Sequence, residues 1–393
     1  MQRLLIIILV FISGCFLRHV EELNNTPIDV PENVCYVMFE YDDGEEWKTC
    51  ICAIDMDSDS IVGIQQIAYD DEFITTFCMN SDGLLFFPIH DSCYGERPGH
   101  SVRVFDPSSG KEVGKIPTPN CPGIIFRLPG DEGFILHYFR YWSDSMATNS
   151  VIDLKSCRFR KHILRNIGMG GSGDVVIAPD SSVWIGAGRD AGFGTFPHAH
   201  LIRFYPGPDT FGDSVILEDD YNDDYFLDYT DICFASMNKI YAGCYPRSED
   251  RDTFLNPGIA IYEFPSGRRL KYVPMDGGDY CSDVILVGNN RVYVSVSKDI
   301  GDVSRTRYIY VFDAGSDEMI KRVDVGNVPH YMAYSPYKEK VYVQTGGNWH
   351  DVTPYLPPEI VVIDARTDEV IKRIDLNIEK FVIYGERGII VNR

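Results

Sequence analysis

The chain has 393 residues, 45% of them hydrophobic, which is enough to bury a large core; length alone allows two or three domains unless a repeat accounts for it. Its 36 Lys+Arg against 58 Asp+Glu leave a formal charge of −22. Such a surface repels nucleic acid and anionic headgroups and argues against groove binding as a primary role, although solubility or a saline or hot habitat explains the acidity as well as an acidic binding site does.

The N-terminus carries Arg3, the apolar run Leu4 to Ile12, then Ser13, Gly14 and Cys15. A basic start, a short apolar stretch and small residues describe an export signal, since a membrane span takes ~20 apolar residues. Ile12-Ser13-Gly14-Cys15 resembles the bacterial lipobox, in which the cysteine is lipidated and becomes the first mature residue. That resemblance implies a signal peptide over 1–14 and an anchor at Cys15. Phe16, not aspartate, at the next position implies the outer membrane or cell surface. Residues 15–32, with Asn24, Asn25, Pro27 and Pro31, read as a flexible tether, and 33–393 as a single domain.

Past the tether one unit recurs. Aligning the residue that closes an apolar strand gives Asp55, Asp106, Asp153, Tyr205, Glu263, Asp313 and Asp364. Ten residues later stand Ile116, Ile163, Val215, Val273, Val323 and Ile374, so the outer strand keeps register with its hairpin. The clearest copy, Tyr308 to Val343, alternates apolar and polar residues between polar turn clusters. One such sheet cannot bury both its faces, and radial stacking of sheets can.

The sequence from Ile309 to Ile374, with VFDAGSDEMIKRV, GNVPHYMAYSPYKEKVYV and IVVIDARTDEVIKRI, resembles the YVTN-type repeat family of YncE-like extracytoplasmic propellers. The resemblance implies an all-β, seven-bladed β-propeller of four-stranded antiparallel blades. Strand-like segments at 34–39 and 48–54, and at 380–384 and 388–391, predict a closing blade shared by the two termini.

Excluding Cys15, ten cysteines remain. Counting outward from the turns at Asp43-Gly44 and Met237 to Lys239 predicts facing pairs Cys35/Cys52 and Cys233/Cys244. Each pair reads either as a disulfide of an exported protein or as two buried thiols.

The long segments are those joining second to third strands, and they fall on one face, where binding residues concentrate. They and the adjoining strands offer Arg140, Trp142, Arg189, His198, His200, Trp349 and His350 as ligand-binding candidates, and His330 sits on an inner strand. His198 and His200 at alternate positions suit a metal or ordinary loop-end hydrogen bonds. In the acidic link from Glu218 to Asp231, Asp220, Asn222, Asp224, Asp228 and Asp231 have spacing that suits Ca²⁺ or a solvated loop. Tyr225 replaces the glycine of an EF-hand.

The sequence has no Cys-x-x-Cys-His, phosphate loop or Gly-x-Ser-x-Gly elbow. Two function classes follow. The first is a monomeric, non-catalytic binding or scaffold module, attached to the membrane only through its lipid, that presents the long-loop face to an envelope protein, peptide or glycan. The second is a propeller-mouth enzyme, a lyase or lactonase, using a histidine with a carboxylate or divalent metal.

Overall fold

A computed structural model describes residues 25–42, 47–68, 72–91, 100–119, 121–137, 148–164, 175–187, 198–222, 224–248, 255–298, 301–302, 306–346, 352–353, 357–376, 381–382 and 389–391. Seven antiparallel sheets form a ring, a seven-bladed β-propeller. Blade 7 shows the unit plainly, with Pro329–Ser335 innermost, then Lys340–Thr345, Glu359–Asp364 and Glu369–Asp375. Among the described residues no helix is long and apolar enough to cross a membrane.

Ring closure combines three strands from one end of the chain with an inner edge from the other. Blade 1 takes Val34–Asp42, Trp47–Asp55 and Ser60–Ala68, while Phe381–Val382 and Ile389–Val391 pair with Val34–Asp42 on the channel side. The N-terminal part therefore supplies the second strand. Cys35, Val37 and Phe39 pack there with Ile389 and with Tyr342 and Ile360 of blade 7, so closure buries apolar surface as well as adding a ladder.

Each aligned carboxylate has a local task. Asp55, Asp106, Asp313 and Asp364 accept the backbone N–H two residues ahead, at 2.8–3.0 Å, which fixes the tight turn between third and fourth strands. The residue four after each aligned one has positive φ in all seven repeats, namely Asp59, Gly110, Cys157, Asp209, Gly267, Asp317 and Asp368. Asp and Gly suit that left-handed position.

Where it is Asp, it also receives the previous blade. Lys239 and Tyr241 of blade 5 bond Asp317 of blade 6, Arg291 and Tyr293 of blade 6 bond Asp368 of blade 7, and Lys340 and Tyr342 of blade 7 bond Asp59 of blade 1. Arg160 of blade 3 holds Asp209 of blade 4 without a tyrosine. Where the residue is Gly267, a Cβ would lie 1.8 Å from the Ile216 carbonyl oxygen, so bare backbone replaces the clamp.

Two sequence expectations are corrected. Residues 25–32 are docked rather than a free tether. The Asn25 side chain bonds the Gln66 backbone at 2.8 and 3.0 Å, Gln65 reaches the Thr26 carbonyl at 2.9 Å, and Ile28 is buried. The cysteine register is also different. The first ladder runs through Asp42↔Trp47, leaving four residues for the turn, so Cys52 faces Val37 and Cys35 faces Ile54. Bulges in blade 5 place Cys233 opposite Tyr241 and Cys244 opposite Tyr229. All four thiols are free, and Cys244 instead shares the Gly258 carbonyl with Cys281 of blade 6.

Candidate functional site

A repeated backbone bond defines the long-loop face. In five blades the N–H just after the fourth strand donates to the carbonyl just before the third: Thr118 to His100, Leu217 to Ala199, Met275 to Pro257, Val325 to Arg307 and Leu376 to Pro358. In these five blades the long connection thus ends against the link to the following blade. In blades 6 and 7 two of these connections also touch, with Gly301–Asp302 pairing in parallel with Val352–Thr353. Arg140, Trp142, Arg189, Trp349, His350 and Cys15 lie outside the described residues.

His198 and His200 do not converge. His198 Nδ1 bonds Asp219 Oδ1 at 2.8 Å, while the His200 ring turns back to the His198 carbonyl. Burial lowers the pKa of His200. Asp219 is itself fixed: its second oxygen accepts the Ala199 N–H at 3.0 Å, and its carbonyl accepts Leu227 N–H at 2.7 Å. Ligating atoms of His198, Asp219 and Asp220 all fall within 4.8 Å of one another.

The calcium set read from the acidic link is not assembled. Asn222 spends its oxygen on the N–H groups of Asp224 and Tyr225. Asp228 pairs with Arg247 at 3.0 Å, and Asp231 turns toward blade 6. The reason is local: from Tyr225 onward the link is already strand, so alternate side chains point to opposite sides of the sheet.

His330 packs between blades 6 and 7. Ser295 donates to its carbonyl at 2.6 Å and its Nδ1 lies 3.3 Å from Ser297 Oγ; burial lowers its pKa to about 4. It is therefore a neutral imidazole near pH 7.

The ring encloses a central cavity of about 900 Å³, walled by side chains such as Phe77, Ile125, Val176, Phe234, Leu286 and Met332. Asp231, Asp283 and Glu339 bring carboxyl groups to its wall, and the first two meet. Asp231 accepts the Val284 N–H at 2.5 Å, Asp283 accepts the Met332 N–H at 2.6 Å, and the two carboxyls bond each other. Burial, then the neighbouring charge of Asp283, holds Asp231 well above the carboxylate range, and burial raises Asp283 to about 6. The pair shares a proton and links the inner strands of blades 5, 6 and 7. Thr76 plays the corresponding part between blades 2 and 3, accepting the Ile125 N–H at 2.8 Å.

Sequence reasoning missed this pair, Asp219, and a second histidine network. In blade 3, His137 Nε2 lies 2.7 Å from Ser150 Oγ, which lies 3.3 Å from His162 Nδ1. None has a short-range spacing signature. Strand register brings Ser150 and His162 together, and a 53-residue separation divides Asp231 from Val284.

The fold places the chain among β-propellers. No family model matches it, and no curated protein matches it. Solved structures do. The chain resembles hydrazine synthase of Kuenenia stuttgartiensis (TM-score 0.56, 13% identity, 93% of this chain and 100% of that one). It resembles a putative 6-phosphogluconolactonase of Bacteroides fragilis (TM-score 0.56, 11% identity, 93% and 99%). The dihydro-heme d1 dehydrogenase NirN is similar over 91% of this chain and 76% of its own (TM-score 0.52, 13% identity). At these identities the likeness is one of fold.

Proposed function

We propose that the protein is an exported, lipid-anchored YVTN-type propeller that acts as a monomeric, non-catalytic binding module, meeting an envelope protein, peptide or glycan through its long-loop face. The observation that supports this reading best is the disposition of the histidines. A mouth enzyme would gather His330 and His198 around one metal or substrate. Here His330 is packed between blades against Ser297 and His198 is held by Asp219 in the link between blades 4 and 5. Five of the long connections, by contrast, end in the same backbone bond on one face of the ring, which supports that face as the binding surface.

Photo-cross-linkers at His100 and Asn222, on the loop face, and at Ser108 and Tyr337, on the opposite face, test it in intact cells. Saturable adducts from the loop face alone are expected; adducts from neither face, or equally from both, contradict it. Replacing Cys15 with Ser should move the protein out of the membrane fraction, and an unchanged distribution contradicts the anchor.

A further inference from the structure

The link between blades 4 and 5 carries an arrangement that the binding role does not require. Asp219 is buried, and its carboxylate has as partners the His198 imidazole at 2.8 Å and the Ala199 N–H at 3.0 Å. Neither brings a permanent positive charge, although a buried carboxylate is costly without one. Asp220, exposed, is the next residue, and its backbone is fixed by a bridge to Phe226. One nitrogen and two carboxylate oxygens thus stand within 4.8 Å of one another on the loop face, two of the three side chains open to solvent.

We propose that His198, Asp219 and Asp220 bind one first-row divalent cation of the Zn²⁺ or Mn²⁺ type, with water completing its coordination. The donor set decides the class. An imidazole with two carboxylates is a borderline N/O site, whereas Ca²⁺ takes about 6–8 oxygens. The separation agrees: two ligands at ~2.0–2.1 Å from a tetrahedral ion sit about 3.3 Å apart, so the 2.8 Å between Nδ1 and Oδ1 needs to open only slightly. Binding through Nδ1 leaves the ring hydrogen on Nε2. The supporting shell is in place, since the Ala199 N–H orients Asp219, the His200 ring holds the His198 carbonyl, and Leu227 N–H holds the Asp219 carbonyl. The open positions of the ion would face outward, toward whatever meets the loops.

The test uses the full mature chain without a polyhistidine tag, stripped with chelator and titrated with ZnCl₂ by calorimetry, with Co²⁺ absorption as a second readout. One equivalent of Zn²⁺ should bind. His198→Ala and Asp220→Asn, both on solvent-accessible side chains, should each weaken it by about 10- to 100-fold and abolish the Co²⁺ band. His162→Ala should leave both unchanged. Asp219→Asn is read only if its melting curve matches the parent. Absence of stoichiometric Zn²⁺ and Mn²⁺ binding overturns the proposal, as does binding that His198→Ala and Asp220→Asn leave intact. Neither result touches the cross-linking test of the loop face.

Discussion

From blade 5 through blades 6 and 7 to blade 1, each blade grips the next in the same way: a basic residue and a tyrosine of the second strand on an aspartate in the following turn. From blade 1 through blades 2, 3 and 4 to blade 5 the joints are individual. Gln65 reaches the Pro107 carbonyl, Asn80 the Leu154 carbonyl, Arg160 holds Asp209, and Glu218 N–H meets Gly267. Regular joints need an aspartate at the left-handed turn position, and Gly110, Cys157 and Gly267 have none. The irregular half also carries His198, Asp219 and the His137–Ser150–His162 chain. Repetition in the regular half therefore serves the ring, and departures from it make room for individual chemistry.

The sharpest way to break the regular half is at its closure. Truncation after Asp375 removes the strands that cover Cys35 and Val37. With ~2–5 kcal/mol per large buried aliphatic lost, stability should fall by more than about 5 kcal/mol, read as loss of a cooperative thermal transition. Next comes a clamp. Asp368→Asn tolerates the left-handed turn but strips the charge from beneath Arg291 and Tyr293, and should cost about 1–3 kcal/mol in denaturant unfolding. Asp209→Asn, which loses Arg160 but leaves no buried tyrosine hydroxyl behind, should cost about 1 kcal/mol or less. Equal costs would remove the distinction between the halves.

The carboxyl pair gives a smaller, pH-dependent effect. Because Asp231 and Asp283 are raised in the folded protein, the fold holds more protons than the unfolded chain above pH ~4. Their contribution is complete below that value and is lost as pH rises through the folded values, about 6 for Asp283. Asp231→Asn should keep the bond to Val284 and flatten the decline of melting temperature that begins above pH ~4 and runs through about 6. Glu40, raised by burial to about 7, leaves a residual slope of the same sign. His330 acts oppositely. Lowered to about 4, it contributes stability present above pH ~6.5 and lost as pH falls through 4, so His330→Gln should reduce acid sensitivity in that window.

Much of the ring was legible in the sequence. The aligned residues mark real turns: Asp55 pairs with Ser60, Asp313 with Glu318 and Asp364 with Glu369. The clamp was also written there, as Lys239-Ile-Tyr241, Arg291-Val-Tyr293 and Lys340-Val-Tyr342. What could not be read was whatever depends on bulges or on contacts between blades. A two-residue difference in turn length separated Cys35 from Cys52, and the bulge between Tyr229 and Asp231 separates Asp228, facing Arg247, from Asp231, facing the cavity. Asp219 looked like one acid among several, and only the fold singles it out by burying it beside His198.

Native-state hydrogen exchange on the full mature chain tests the contrast most directly. Amides in the strands of blades 5, 6, 7 and 1 should exchange together at the free energy of global unfolding, while those of blades 2, 3 and 4 open earlier. Uniform exchange around the ring, or earlier opening in the clamped half, would contradict it.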